Sequence, residues 1–339
     1  MNSLKPFSFL YEKMAGFKNY LYDNEYFQPL ELPISVLSLG NLTMGGTGKT
    51  PLTDLCLRHF QRRRLKVAVV SRNYRAQVKE IAQVDLSRGD AAQYFGDEPV
   101  LLAQRNPHVD FFVGPHKFQT AQYALEKVNP QLVIVDDGFQ HRQLYRDVDL
   151  VILDATEPLE NYRCIPLGRA REPWESLARA TAFVVTKANL ANPADLQALC
   201  LRLQKFHKPI IPMNYELLRL RGHCLPGEKS LKECKGEEVF LVSAIAKPKS
   251  FEKNMEKFSM RVQGHAVFRD HHQYTSRDVA EIIAKASRNG ARGLITTEKD
   301  YVKLKPLWPE DVPLWYAPLE LQIQSQEDVF YEILDQVLH

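Results

Sequence analysis

The chain has 339 residues, of which 45% are hydrophobic and 25% are charged. This balance is typical of a globular protein and excludes extensive disorder or a bundle of membrane-spanning helices. The length fits two domains. The formal net charge is only +3, and no basic run is longer than the three arginines at 62–64. Nucleic acid is therefore not an expected partner. Five cysteines without any C-x-x-C spacing indicate a reducing compartment rather than a metal site.

The first 24 residues predict an amphipathic helix with an aromatic-rich face. Apolar side chains recur at helical spacing with lysines interspersed, namely Phe7, Leu10, Met14, Phe17 and Leu21. Such a face can lie in a membrane interface, or it can pack on the protein's own core. The residues alone leave both interpretations open, and no stretch reaches the roughly 18 apolar residues that cross a bilayer.

A phosphate-binding loop is predicted at 40–51, which reads Gly-Asn-Leu-Thr-Met-Gly-Gly-Thr-Gly-Lys-Thr-Pro after an apolar run typical of a buried strand. Its glycines allow several backbone N–H groups to point at one polyanion. Lys49 would reach the β- and γ-phosphates, and Thr50 would offer a hydroxyl to a phosphate-bound Mg²⁺. Thr43 replaces the first glycine of the usual pattern. The residues predicted to bind the nucleotide are Gly45, Gly46, Thr47, Gly48, Lys49, Thr50 and Pro51.

After this loop, short apolar runs alternate with helix-length segments. Strands are predicted at 67–71, 111–114, 132–136, 150–154, 183–186 and 210–213, and helices at 50–63, 98–105, 117–128 and 193–206. Repeated units of this kind build a parallel sheet covered by helices, with the nucleotide at the C-terminal edge of the strands. We therefore predict an α/β domain of the P-loop NTPase type, a parallel sheet sandwiched by helices, over residues 25–215.

The remaining third of the chain predicts a linker and a second, smaller α/β domain. Residues 216–236 are polar and basic and are predicted to connect the two domains. Further strands at 239–243, 263–268 and 293–296 and helices at 250–258, 276–288 and 325–338 place the smaller domain at 237–339. We expect this domain to close over the active site.

Carboxylates follow the strand at 132–136, where Asp136 and Asp137 stand side by side. Beside a phosphate loop, one of them can hold Mg²⁺ while the other orients water or assists a proton transfer, and their order does not decide which. Asp97 in Gly-Asp-Glu-Pro has two interpretations. It either caps a helix N-terminus or acts as a general base for an attacking hydroxyl.

Three other motifs carry polar side chains on loops. In Asp270-His271-His272, adjacent histidines are a poor chelating pair, but a histidine and a carboxylate from two domains could form an acid/base pair. Arg72 and Arg171 suit phosphate recognition or a solvated surface. The loop at 186–189 resembles the base-reading loop of GTPases, but Asn189 replaces the acid that reads guanine.

Together, the motifs between Gly40 and Asp300 resemble the tetraacyldisaccharide 4'-kinases of lipid A biosynthesis. The run Asp-Asp-Gly-Phe-Gln-His, from Asp136 to His141, is the most specific of them. The other matching stretches are the phosphate loop, Ser-Arg-Asn-Tyr-Arg, Gly-Asp-Glu-Pro, Arg-Glu-Pro, Asp-His-His and Thr-Thr-Glu-Lys-Asp.

This resemblance implies transfer of the γ-phosphoryl group of ATP, with Mg²⁺, to the 4'-hydroxyl of a membrane-borne, acylated glucosamine disaccharide 1-phosphate. It implies that Asp97 is the catalytic base, that His271 orients it, and that Lys49 serves ATP. Thr50, Asp136 and Asp137 would form the metal and water shell. The further site candidates are Arg72, Gln140, His141, Arg171 and Glu172.

The resemblance also implies a location at the cytoplasmic face of the bacterial inner membrane, which favours the interfacial interpretation of the N-terminal helix. Two alternatives remain. One is a switch-type, metallochaperone-like ATPase or GTPase without a lipid acceptor. The other is a nucleotide-binding membrane adaptor, and acceptor-dependent ATP consumption would separate both from a kinase.

Overall fold

A computed structural model describes residues 4–73, 76–223, 228–245, 248–270 and 272–338. The strands are β1 (Ser35–Asn41), β2 (Val67–Arg72), β3 (Ala82–Gln83), β4 (Asp110–Gly114), β5 (Leu132–Asp136), β6 (Val148–Asp154), β7 (Ala182–Thr186), β8 (Ile210–Leu217), β9 (Arg219–His223), β10 (Glu228–Ser230), β11 (Glu238–Ser243), β12 (Arg261–Val267), β13 (Gly293–Thr297), β14 (Leu314–Ala317) and β15 (Leu319–Ile323). The helices are α1 (Lys5–Asp23), α2 (Lys49–Arg62), α3 (Ala91–Phe95), α4 (Asp97–Arg105), α5 (Lys117–Val128), α6 (Pro193–Gln204), α7 (Pro248–Lys257), α8 (Ser276–Arg288), α9 (Glu298–Leu304) and α10 (Glu327–Asp335).

The larger sheet has the order β15, β8, β7, β6, β1, β5, β2, β4, β3. Its central strand β1 is parallel to both neighbours, β5 and β6. Helices α2 and α10 pack on one face, and α5 packs on the other. Because both faces are covered, the central strands β5, β6 and β7 are buried along almost their whole length and lack the alternation of half-exposed strands. The predicted parallel sheet sandwiched by helices is confirmed.

A second sheet forms the smaller domain, in the order β10, β9, β14, β13, β11, β12. Its strand β11 is parallel to β12 and to β13. Buried side chains of α8 and α9 form one apolar core beside this sheet, together with Trp308. The prediction of a second, smaller α/β domain is confirmed.

The structure differs from the predicted boundaries at two places. The predicted linker at 216–236 contains β9 and β10, which are hydrogen-bonded into the second sheet. The last segment leaves the smaller domain, since β15 pairs antiparallel with β8 and Phe330 of α10 lies in the core of the larger domain. Short, polar strands lack an apolar signal, and the pattern of an amphipathic helix does not reveal which sheet it covers.

Helix α1 lies on the larger domain with its polar side inward. Ser8 and Asn19 are buried, whereas Phe7, Met14 and Phe17 are exposed by 64%, 66% and 63%. The interpretation in which the aromatic face packs on the protein's own core is therefore wrong. Among the described helices, none is long and apolar enough to cross a membrane.

Candidate active site

The phosphate loop joins β1 to α2 at the C-terminal edge of the larger sheet. Gly48, directly before α2, has a φ of 100°, and a Cβ on it would collide with the Tyr215 hydroxyl. Only glycine fits this left-handed, crowded position. The hydroxyl of Thr186 donates to the Thr47 carbonyl at 2.7 Å, and Lys187 Nζ donates to the Gly46 carbonyl at 3.0 Å. The end of β7 thus holds the loop from one side.

Lys49, Asp137 and Arg171 converge on the end of β1. Lys49 Nζ donates to Asn41 Oδ1 at 3.1 Å and lies 3.5 Å from Asp137 Oδ1. Arg171 binds both carboxylate oxygens of Asp137 at 2.8 Å. Its second terminal nitrogen also donates to Asn41 Oδ1 at 2.6 Å. This bidentate, charge-assisted pair orients Asp137 relative to the phosphate loop.

The two neighbouring aspartates differ in ionisation. Burial alone would raise the pKa of Asp137, but hydrogen bonds from Arg171 and the charge of Lys49 outweigh it and hold the pKa far below its usual range. Burial raises the pKa of Asp136 to about 6, although Lys49 opposes the shift. The Ser71 hydroxyl donates to Asp136 Oδ2 at 3.1 Å. The Asp137 carboxylate therefore stays ionised beside Arg171 and Lys49. The positive charges near Asp136 do not offset the effect of its burial.

Sequence reasoning missed Lys117, the first residue of α5. Its side chain is buried, and Nζ donates to the backbone carbonyls of Asp136 and of Asp137, the latter at 2.5 Å. Burial lowers the pKa of Lys117 to about 8, despite both carboxylates nearby. The sequence signal that could have found Lys117 is its position just after β4, because the C-terminal ends of parallel strands meet at one edge of the sheet. Asn41 was missed too, because an asparagine at a strand end has no motif of its own.

The predicted candidates Arg72, Gln140 and His141 lie at the same edge of the sheet. Gln140 Nε2 donates to the Asn41 carbonyl at 2.9 Å. Arg72 is exposed at the end of β2. Burial, together with the positive charges of Lys117 and Arg72, lowers the pKa of His141 to about 3. His141 is therefore a neutral imidazole that can donate and accept hydrogen bonds but carries no charge.

Glu172 belongs to a different network from Arg171. It is buried and accepts hydrogen bonds from Arg179 at 3.0 Å and from Asn19 of α1 at 2.7 Å. The Tyr11 hydroxyl of α1 donates to the Arg171 carbonyl at 3.0 Å. The Arg-Glu-Pro segment therefore has two functions in the structure. Arg171 faces the phosphate loop, and Glu172 anchors α1 beside it.

Asp97 lies where the two domains meet. It is the first residue of α4, and the N-cap position belongs to Gly96, whose φ is 101°, so the N-cap interpretation of Asp97 is wrong. Asp97 Oδ2 lies 4.0 Å from Nζ of Lys303 in α9 of the smaller domain. The predicted partner His271 is outside the described residues. Its neighbour His272 accepts a hydrogen bond from Lys303 Nζ at its carbonyl, at 3.1 Å.

In the loop after β7, the side-chain amide of Asn189 is hydrogen-bonded to the backbone of β8 and is therefore not free. Asn189 Nδ2 donates to the Tyr215 carbonyl at 2.9 Å, and the Tyr215 N–H donates to Asn189 Oδ1 at 3.0 Å. The side chain of Asn189 is thus engaged with the backbone of the neighbouring strand.

The glycine-rich turn at the C-terminal edge of a parallel sheet, with Lys49 and Asp137 beside it, defines a nucleotide-binding protein of the P-loop class. The chain belongs to the tetraacyldisaccharide-1-P 4'-kinase family, whose model matches residues 1–339. It is accordingly a phosphotransferase, which confirms the family expected from the motifs, and the switch-type alternative is not favoured.

Curated relatives and a solved structure agree with this assignment. The tetraacyldisaccharide 4'-kinase of Bdellovibrio bacteriovorus is 47% identical over 99% of this chain and 98% of its own length. That of Desulfotalea psychrophila is 34% identical over 95% of this chain and 93% of its own. The crystal structure of LpxK from Aquifex aeolicus in complex with ATP matches with a TM-score of 0.78 at 26% identity, covering 100% of this chain and 99% of the other.

Proposed function

We propose that this protein transfers the γ-phosphoryl group of ATP to the 4'-hydroxyl of an acylated glucosamine disaccharide 1-phosphate. The observation that carries the proposal is the convergence of Lys49, Arg171 and Asp137 on the phosphate loop, in a chain of the tetraacyldisaccharide-1-P 4'-kinase family. Phosphoryl transfer depends mainly on positioning and on neutralising phosphate charge, and these residues supply both.

On the donor side, backbone N–H groups of residues 45–50 cradle the phosphates, and Lys49 exchanges its contacts with Asn41 and Asp137 for phosphate oxygens. The donor set also fits Mg²⁺, which takes oxygen ligands and is usually held by one or two carboxylates with phosphates and water. The under-compensated carboxylate of Asp136 and the hydroxyl of Thr50 would hold it, and Asp137 would complete its water shell. When bound, the ion neutralises charge on the phosphate oxygens.

On the acceptor side, the Asp97 carboxylate takes the proton of the 4'-hydroxyl. The freed oxygen forms a bond to the γ-phosphorus, while the bond from that phosphorus to the bridging oxygen breaks and ADP leaves. His271 would orient Asp97. The cationic edge formed by Arg72, Lys49 and Arg171, with the neutral His141 and Gln140, would guide the anionic acceptor toward the phosphate loop.

ATP consumption with and without a purified acylated disaccharide 1-phosphate tests the reaction. We expect turnover only with the acceptor, and Asp97→Asn should lower kcat by about 10²- to 10⁴-fold, the usual contribution of a general base. Hydrolysis at the same rate without acceptor would overturn the kinase proposal. Full turnover in Asp97→Asn would overturn the role of the base alone.

We also propose that α1 lies in the interface of the cytoplasmic face of the inner membrane. Its polar side is bound to the protein through Ser8, Asn19 and Tyr11, so its aromatic face points outward. Lys18 of the same helix donates to the Gln140 carbonyl at 3.3 Å, which places the helix close to the candidate site. A membrane-borne acceptor would then reach the phosphate loop without leaving the bilayer.

Sedimentation with vesicles containing anionic lipid tests this placement. Replacing Phe7, Leu10 and Phe17 with Ser should abolish binding, because each fully buried side chain of this kind contributes about 1.5–3 kcal/mol. The matched control replaces three exposed leucines elsewhere with Ser, namely Leu190, Leu201 and Leu218. Equal binding of the two triple variants would contradict the proposal.

A further inference from the structure

Helix α9 of the smaller domain packs along α4 of the larger domain. At one end, Glu298, the first residue of α9, pairs with Arg105, the last residue of α4. At the other end, Lys303 faces Asp97, the first residue of α4. The two helices are therefore antiparallel, and a charged pair closes each end of their contact.

Lys303 is a buried lysine, with its side chain 2% exposed. Its ammonium lies 3.1 Å from Asp300 Oδ1, donates to the His272 carbonyl at 3.1 Å, and is 4.0 Å from Asp97 Oδ2. It thus contacts the larger domain and two separate segments of the smaller domain at once.

Asp300 is itself held rigidly. It is fully buried, and its Oδ2 accepts from the Ala244 N–H at 2.9 Å and from the Thr297 hydroxyl at 2.6 Å. A buried ammonium needs a charged partner, and Asp300 already provides one within the same domain. The contacts of Lys303 with Asp97 and with the His272 carbonyl are therefore additional to those that make its burial possible. They join the proposed base to the backbone at His272.

We propose that Lys303 is a positioning residue for phosphoryl transfer. Its ammonium, fixed by Asp300, holds the Asp97 carboxylate and the backbone at His272 in one arrangement at the domain junction. This inference rests on the proposed role of Asp97 as the base. It differs from that role because Lys303 touches no reacting atom and acts only through Asp97.

A double-mutant cycle in the full chain tests the inference. Lys303→Met, which keeps the length of the stem and removes the charge, should lower kcat by about 10- to 100-fold and leave the KM for ATP unchanged. In the Asp97→Asn background, the same substitution should change kcat by less than about twofold, since the group it positions is already gone. Lys305→Met, which removes an exposed charge two residues away, is the matched control and should retain full turnover.

A second variant separates positioning from folding. Lys303→Met leaves Asp300 as a buried charge without its ammonium, whereas Lys303→Met combined with Asp300→Asn removes both charges and should recover thermal stability without recovering kcat. Recovery of kcat together with stability would overturn the inference, as would equal losses of kcat in both Asp97 backgrounds. Full turnover in Asp97→Asn would instead overturn the proposed base, and the inference with it.

Discussion

Asp137 and Asp97 are both proposed to serve the same reaction, but the fold holds them in different ways. Asp137 is fixed within one domain, by Arg171 and Lys49 at the edge of a single sheet. Asp97 lies at a junction, where Lys303 reaches it from the other domain. The comparison indicates that the donor half of the site is assembled by the sheet alone, whereas the acceptor half depends on how the two domains meet.

The first prediction concerns the far end of that junction. Arg105→Met should lower the free energy of unfolding by about 3–5 kcal/mol, because it removes the buried guanidinium that pairs with Glu298 and one of the two that pair with Asp54. Urea denaturation measures the loss. Arg58→Met is the control, since Arg58 also pairs with Asp54 at 2.9 Å but its side chain is 42% exposed, and it should cost at most about 1 kcal/mol. Equal losses of unfolding free energy in the two variants would contradict the prediction that the buried ion pairs of this junction stabilise the fold more than an exposed ion pair does.

The second prediction concerns the donor half. Lys49→Met should reduce kcat with the acylated acceptor by about 10²- to 10³-fold, as expected for a preorganised charge aimed at the transferred group. Thermal unfolding should change little, because Asp137 keeps both hydrogen bonds from Arg171. A large loss of stability would mean that the donor half is not assembled independently of Lys49.

The third prediction tests the geometry of Arg171. Arg171→Lys keeps the charge but loses the bidentate contact with Asp137 and the bond to Asn41, and should lower kcat/KM for ATP by about 10-fold or more. Steady-state kinetics at saturating acceptor measures the effect. Arg163→Lys, an exposed arginine of the same segment, should leave kcat/KM unchanged. Indistinguishable kinetics for the two variants would rule out an orienting role for Arg171.

The smallest expected effect is a pH dependence of nucleotide binding. A carboxyl group with a pKa raised to about 6 is ionised above that pH and protonated below it. As the pH falls from 7.5 to 5.5, protonation of Asp136 should by itself weaken the binding of Mg·ATP by about fourfold. Calorimetry on the protein and on Asp136→Asn separates this change from protonation of ATP itself, which affects both. Parallel pH dependences would contradict the assignment.

Much of the donor half was predictable from sequence, because its signals are local. The glycines of the loop, the apolar strand ending in Asp136 and the basic residues after strands all point to one sheet edge once the strands are parallel. Lys117 and Asn41 were missed, since both act through contacts with residues distant in sequence, Lys117 with the carbonyls of Asp136 and Asp137 and Asn41 with Arg171. The side chain of Glu172 was placed in the site by its motif, but it binds α1 instead.

The domain boundaries also depend on contacts that local sequence patterns do not reveal. Residues 219–223 and 228–230 form short, polar strands, which carry no apolar pattern to reveal them. The sequence predicts α10 as part of the smaller domain, because it follows that domain in the chain. Its amphipathic pattern does not reveal that it packs against β1 and α2 of the larger domain.

By itself, the sequence determined the phosphate loop, the class of fold, the family and the amphipathic nature of α1, because backbone conformation and hydrophobic period depend on neighbouring residues. Tertiary structure alone decided that the aromatic face of α1 points outward, that the chain returns to the first sheet, and that Lys303 meets Asp97. Each of these is a contact between segments far apart in the chain. Such contacts depend on which surfaces the whole fold brings together, and no local pattern encodes that.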